Sequence, residues 1–155
     1  LFVGSSDVYK RQGNDMYLVK KTYDNSPEFL RNEHYENITC TVLDTGVTAD
    51  TEGKKFVLAG SLLDKDGKMV KVARSGSSGA YTYTFSTEPV GILFATTEVT
   101  YGQQAGALMI AGSVNTERLQ GEYLVDAVDQ MVEKMPFIKF FVDGSLQVKA
   151  ATPTV

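Results

Sequence analysis

The only histidine, His34, stands six residues before the only cysteine, Cys40, and a thiol nucleophile needs a base within reach. A Cys–His hydrolase is therefore the first chemistry to weigh. Cys40 falls on one side of an alternating run, where a free cysteine is ordinarily a small buried hydrophobe, and His34 falls in a polar stretch with little to hold it. One His and one Cys cannot complete a three- or four-ligand zinc site, and a lone cysteine allows no internal disulfide. Asp64-Lys65-Asp66-Gly67 opens like a calcium loop, yet the twelve-residue pattern needs further oxygen ligands and a closing glutamate. Lys68, Met69, Val70 and Lys71 follow instead, so Asp-Gly reads as a hairpin turn whose glycine supplies positive φ. Asp126 and Asp129, three apart, belong to the solvated face of a helix. Asn37-Ile38-Thr39 matches a glycosylation sequon, a weak pattern by itself. The Ser- and Gly-rich 75–80 lacks the lysine of a phosphate-binding loop and reads as a flexible connection. Nothing assembles nucleophile, base and oxyanion donors. The expectation is a noncatalytic protein with no metal and no cofactor.

The elements around these residues are mostly strand-like. In ITCTVL, Ile38, Cys40 and Val42 alternate with Thr39 and Thr41, the period of a strand with one buried face. KFVLAGSLL, DKDG and KMVKVA predict a hairpin turning at 64–67. AYTYTF alternates Tyr81, Tyr83 and Phe85 with threonines, whereas VGILFA and GALMIAGSV are continuous apolar runs that read as central strands. Gly91, Gly106 and Gly112 sit in or beside those runs, where glycine marks a bulge, a bend or a close backbone approach. In GEYLVDAVDQMVEKMPF, Tyr123, Leu124, Ala127, Val128, Met131, Val132 and Met135 recur at intervals of three and four. That spacing predicts a helix over 122–135 with one apolar stripe, stopped by Pro136. IKFFV follows as a last strand.

These elements predict a mainly β fold with one packed α-helix (α+β), a compact β-barrel-like or β-tulip-like domain over 38–155. In front lies an extended N-terminal arm over 16–37. Its apolar residues, Tyr17, Leu18, Val19, Phe29 and Leu30, are too few to offset an ordering cost of about 1–2 kcal/mol per residue. The arm is therefore expected to order only against something else.

At 155 residues and 43% apolar, the chain has the length of one domain and the material for a core. Its net charge is −4 with no basic cluster, which argues against nucleic acid. No apolar run approaches the roughly 18 residues of a membrane span. The opening LFVGSSDVYKRQGND precedes the first methionine, Met16. Its apolar residues come before its basic ones, the reverse of a signal peptide. SSDVYKRQ resembles translated sequencing-adaptor read-through, so residues 1–15 read either as a non-native extension or as a disordered genuine terminus.

VLAGSLLDKDGKMVKVA, a loop and then PVGILFATTEVTYGQQAGALMIAGSVNTERL resemble the head decoration proteins of tailed bacteriophages. They also resemble the related head-fibre or capsid-stabilising proteins of phages that infect Gram-positive bacteria. The features that carry the likeness are Ala59-Gly60, Gly91-Ile92-Leu93, the segment 98–102, and Gly106, Leu108, Gly112, Val114, Arg118 and Leu119. They span residues 56–142 when the helix and IKFFV are included. The resemblance implies a homotrimer on the outer surface of the expanded phage head, made in the host bacterial cytoplasm. It further implies that the trimer holds subunits of the major capsid protein against internal DNA pressure. It also implies an arm that orders on docking, with Tyr17, Leu18 and Val19 able to add a strand through main-chain hydrogen bonds. A longer arm and the tyrosine-rich AYTYTF depart from the smaller decoration proteins and leave stoichiometry and arm path open. The alternative is a β-rich adhesion or carbohydrate-binding module, with Tyr81, Tyr83 and Tyr101 stacking on sugars rather than packing across strands.

Overall fold

The computed structural model describes residues 27–148. They form β1 (Glu36–Val42), β2 (Phe56–Val57), β3 (Leu62–Asp64), β4 (Val72–Ser75), β5 (Thr82–Phe85), β6 (Pro89–Leu93), β7 (Thr97–Glu98) and β8 (Gln104–Asn115). A 3-10 turn (Thr116–Arg118), the helix α1 (Val128–Lys134), β9 (Ile138–Val142) and β10 (Ser145–Leu146) complete the order. The protein is thus β-rich with a single short α-helix among the described residues. Tyr17, Leu18 and Val19 lie outside them.

The long strand β8 organises the main sheet, which runs β10-β9-β8-β6-β3 with β1 also paired to β8 and curls into a half-barrel. Twelve residues of β8 are enough to hold β1 antiparallel along 104–111, β6 antiparallel at Leu108 and Met109, and β9 parallel along 112–115. β2 with β7 and β4 with β5 form two smaller ribbons.

Neighbouring apolar residues of the central strands point to opposite faces, as the period of two requires. Leu62, Ile92 and Met109 enter a main core with Phe29, Val114, Met131 and Phe140. Leu63, Leu93 and Leu108 enter a second core with Val42, Val47, Val57 and Val99. A strand that feeds a core on each face reads as an unbroken apolar run, which is why VGILFA and GALMIAGSV do. Each such side chain, fully buried, contributes about 1.5–3 kcal/mol before entropy is counted.

The helix is shorter than the expected 122–135, because Tyr123 sits at φ +62°, a conformation no α-helix contains. The chain turns through 122–127, and α1 starts at Val128. The apolar stripe survives the change: Leu124, Ala127, Val128, Met131 and Met135 all lie in the main core. The predicted turn at 64–67 is present, closed by the Gly67 amide donating to the Asp64 carbonyl at 3.1 Å. Beyond it Lys68, Met69 and Val70 pair back onto β3; β4 then leaves to pair with β5.

Two residues read from sequence as pieces of the arm belong to the main core. Phe29 is 2% exposed, and Leu30 pairs with Val114 of β8. The expected boundary between arm and domain at 37/38 falls inside β1. The four glycines of the resemblance sit at close approaches. A Cβ on Gly91 would meet the Met109 carbonyl oxygen at 2.6 Å, and one on Gly106 would meet the Val42 side chain at 2.7 Å. Gly112 faces Met109 and Tyr35, and Gly60 faces Phe29, at slightly longer range.

Candidate functional site

The inward face of β1 is apolar from Ile38 to Val42 but covered only at one end. Val42 is 0% exposed in the second core, Cys40 is half-buried, and Ile38 is 47% exposed. Ile38 pairs with Leu108 and Cys40 with Gly106, so burial fades as β1 runs back toward Glu36. Across from it stand Val90, 39% exposed, and the half-buried Ile110. Together with Leu63 and Leu108 they line a groove of roughly 500 Å³. Among the described residues, no strand other than β8 pairs with β1. An apolar strip continuous with a core, beside a strand with a free edge, is an arrangement that takes up a partner by packing and by main-chain hydrogen bonds.

One rim of the groove is the 64–67 turn. The Asp64 Oδ1 accepts the amides of Asp66 and Lys68, each at 2.9 Å. Burial alone would raise this carboxyl. The amides of Lys68, Asp66 and Gly67, with the Thr87 hydroxyl, outweigh it and hold the Asp64 carboxyl below its usual range. Asp64 therefore acts as a structural staple for the turn. Among the described residues, no group of three or more His, Cys, Asp and Glu is placed to hold a metal ion.

The Cys40–His34 pair does not form a dyad. Cys40 lies opposite Gly106, while the His34 backbone packs against Gly112. Those two glycines stand six positions apart on the extended β8, a span of about 20 Å. Burial pushes the Cys40 thiol up, which lowers its thiolate fraction. His34 is exposed, and its amide is held by Asn32 at 3.0 Å.

The three candidate stacking tyrosines are not one platform. Tyr101 is almost fully exposed in a turn between β7 and β8. Tyr83 is half-buried against the main core, and its carbonyl accepts the Gln130 side-chain amide of α1 at 3.1 Å. Tyr81 is 41% exposed and carries Arg74 against its ring, 4.3 Å from the ring centre. Sequence reasoning passed over Val90, Ile110 and Arg74. The first two carried a signal, being the residues of apolar runs that interior packing leaves in excess; Arg74 carried none.

Comparison with known protein families, with curated proteins and with solved structures finds no match for this chain.

Proposed function

We propose that this is a noncatalytic phage capsid decoration protein that binds the outer surface of the expanded head and stabilises it by clamping subunits of the major capsid protein. In this reading the β-rich unit is a β-barrel-like or β-tulip-like domain with an N-terminal arm, and it works as a homotrimer. The observation that carries the reading is the half-covered face of β1, with Ile38 and Val90 exposed beside a groove that continues the second core. A surface of this kind suits a protein that works by docking. The likeness of 56–142 to decoration proteins supplies the identity of the docking partner, and Tyr17, Leu18 and Val19 supply further main-chain contacts to it.

Three linked copies, each touching one capsid subunit, turn modest contacts into firm attachment through effective concentration. Binding the assembled shell and not its loose subunits then stabilises the shell by mass action. The test is cosedimentation of purified protein with expanded empty heads of the phage that encodes it. Saturable pelleting with expanded but not unexpanded heads supports the reading; correctly folded protein left in the supernatant with both removes it.

A further inference from the structure

Arg74 on β4 lies against two tyrosine rings at once, its guanidinium carbon 4.3 Å from the centre of Tyr81 and 4.6 Å from that of Tyr123. Tyr123 in turn packs on Tyr83 with ring centres 6.1 Å apart. The three tyrosines come from two elements distant in sequence: Tyr81 and Tyr83 from the β5 region, and Tyr123 from the turn leading into α1. Tyr123 reaches Arg74 from a left-handed backbone conformation that an aromatic residue rarely adopts.

A guanidinium stacked on ring faces turns its five N–H donors edgewise. Arg74 and Tyr81 are exposed, and among the described residues no carboxylate pairs with Arg74. The neighbouring lysines are occupied: Lys71 donates to the Gly46 carbonyl at 3.2 Å, and Lys134 pairs with Glu88 at 2.7 Å. The cluster thus offers a planar, preorganised cation, framed by aromatic surface, that no carboxylate among the described residues pairs with.

We propose that Arg74, Tyr81 and Tyr123 form a binding site for an acidic saccharide, in which the guanidinium takes the carboxylate of a uronate ring in a bidentate pair and tyrosine surface packs on the sugar. Planar fork-to-carboxylate pairing is what a guanidinium does better than an ammonium, and stacking fixes the side chain before the ligand arrives, so less freedom is lost on binding. One guanidinium suits one carboxylate at a time. A polyphosphate backbone or a run of acidic residues calls for several cations together, and the net charge of −4 disfavours such partners further. The site is separate from the β1 groove and stands whether or not the protein clamps a capsid.

The test is calorimetric titration of the full chain with an oligosaccharide of neutral sugars ending in a single glucuronate, and with the same oligosaccharide after its carboxyl group is reduced to an alcohol. The expected result is saturable binding to the acidic form, weakened tenfold or more by carboxyl reduction and to a similar extent by Arg74→Lys, which keeps the charge and loses the planar fork. Carboxyl reduction probes the site with the protein untouched, so the result does not depend on how the variant folds. Absence of saturable binding, equal affinity for the neutral form, or undiminished binding by a folded Arg74→Lys variant overturns the proposal. A peptide with a single glutamate that binds through Arg74 where the uronate oligosaccharide does not overturns it in favour of a protein partner.

Discussion

Gly67 and Thr41 approach so closely that a Cβ on Gly67 would overlap the Thr41 carbonyl group. The Leu43 amide donates to the Gly67 carbonyl at 3.0 Å, which draws the 64–67 turn onto the end of β1 and closes one end of the groove. Gly79 has nearly the same backbone angle, φ +89° against +88°, with nothing within 4 Å of its Cβ position. The pair separates two effects. Gly79→Ala bears only the left-handed penalty, about 1–2 kcal/mol. Gly67→Ala bears that and the displacement of backbone, a further 1–3 kcal/mol or so. Urea denaturation of both variants checks this; equal losses would show that the turn does not press on β1.

Phe29→Ala should destabilise the domain by about 3–5 kcal/mol, the range for emptying a buried aromatic site. The ring is among the largest fully buried side chains, and its backbone brackets β8 through the Asn115 amide at 2.8 Å. A loss of that size is a large part of a typical total of about 5–15 kcal/mol. A melting point unchanged by Phe29→Ala would place Phe29 in an arm after all.

Asp64 makes stability fall at low pH. Its carboxyl is held below the usual range in the folded protein, so its stabilisation is fully present above the unfolded value, near pH 4. It is lost as pH falls through the folded value. Asp64→Asn keeps the shape and one acceptor oxygen but not the charge, and should cost about 1–2 kcal/mol at pH 7. The gap between wild type and variant should narrow steadily below about pH 4. A gap independent of pH would mean that the charge contributes nothing.

Ile38→Glu should leave stability within about 1 kcal/mol of wild type, since the side chain is about half exposed and on a strand edge. It should abolish attachment to expanded heads, because a charge would then have to be buried in an apolar groove. Leu108→Ala, at the paired position but buried, should instead lose about 2–5 kcal/mol. Denaturation and cosedimentation on the same preparations separate the two roles.

Much of the sheet was legible because its signals are local. Ile38, Cys40 and Val42 alternate, and they do share one face; VGILFA and GALMIAGSV run unbroken, and they do supply central strands that feed both cores. What alternation cannot carry is how far the cover extends, so the exposure of Ile38 was not legible. Apolar spacing of three and four placed Tyr123 and Leu124 in a helix, yet spacing reports which side chains share a face and not the sign of φ. Phe29 looked like an isolated apolar residue because its partners, Gly60 and Val114, lie far along the chain. Arg74 between Tyr81 and Tyr123 is non-local in the same way, and composition offers no hint of it.

Docking through the face of β1 is proposed to stabilise a shell. The most direct measurement is the melting temperature of expanded empty heads, taken alone, with the wild-type protein and with Ile38→Glu. A clear upward shift with wild type and none with the variant is the result predicted. Heads that bind the wild-type protein yet melt at the same temperature as bare heads would contradict it.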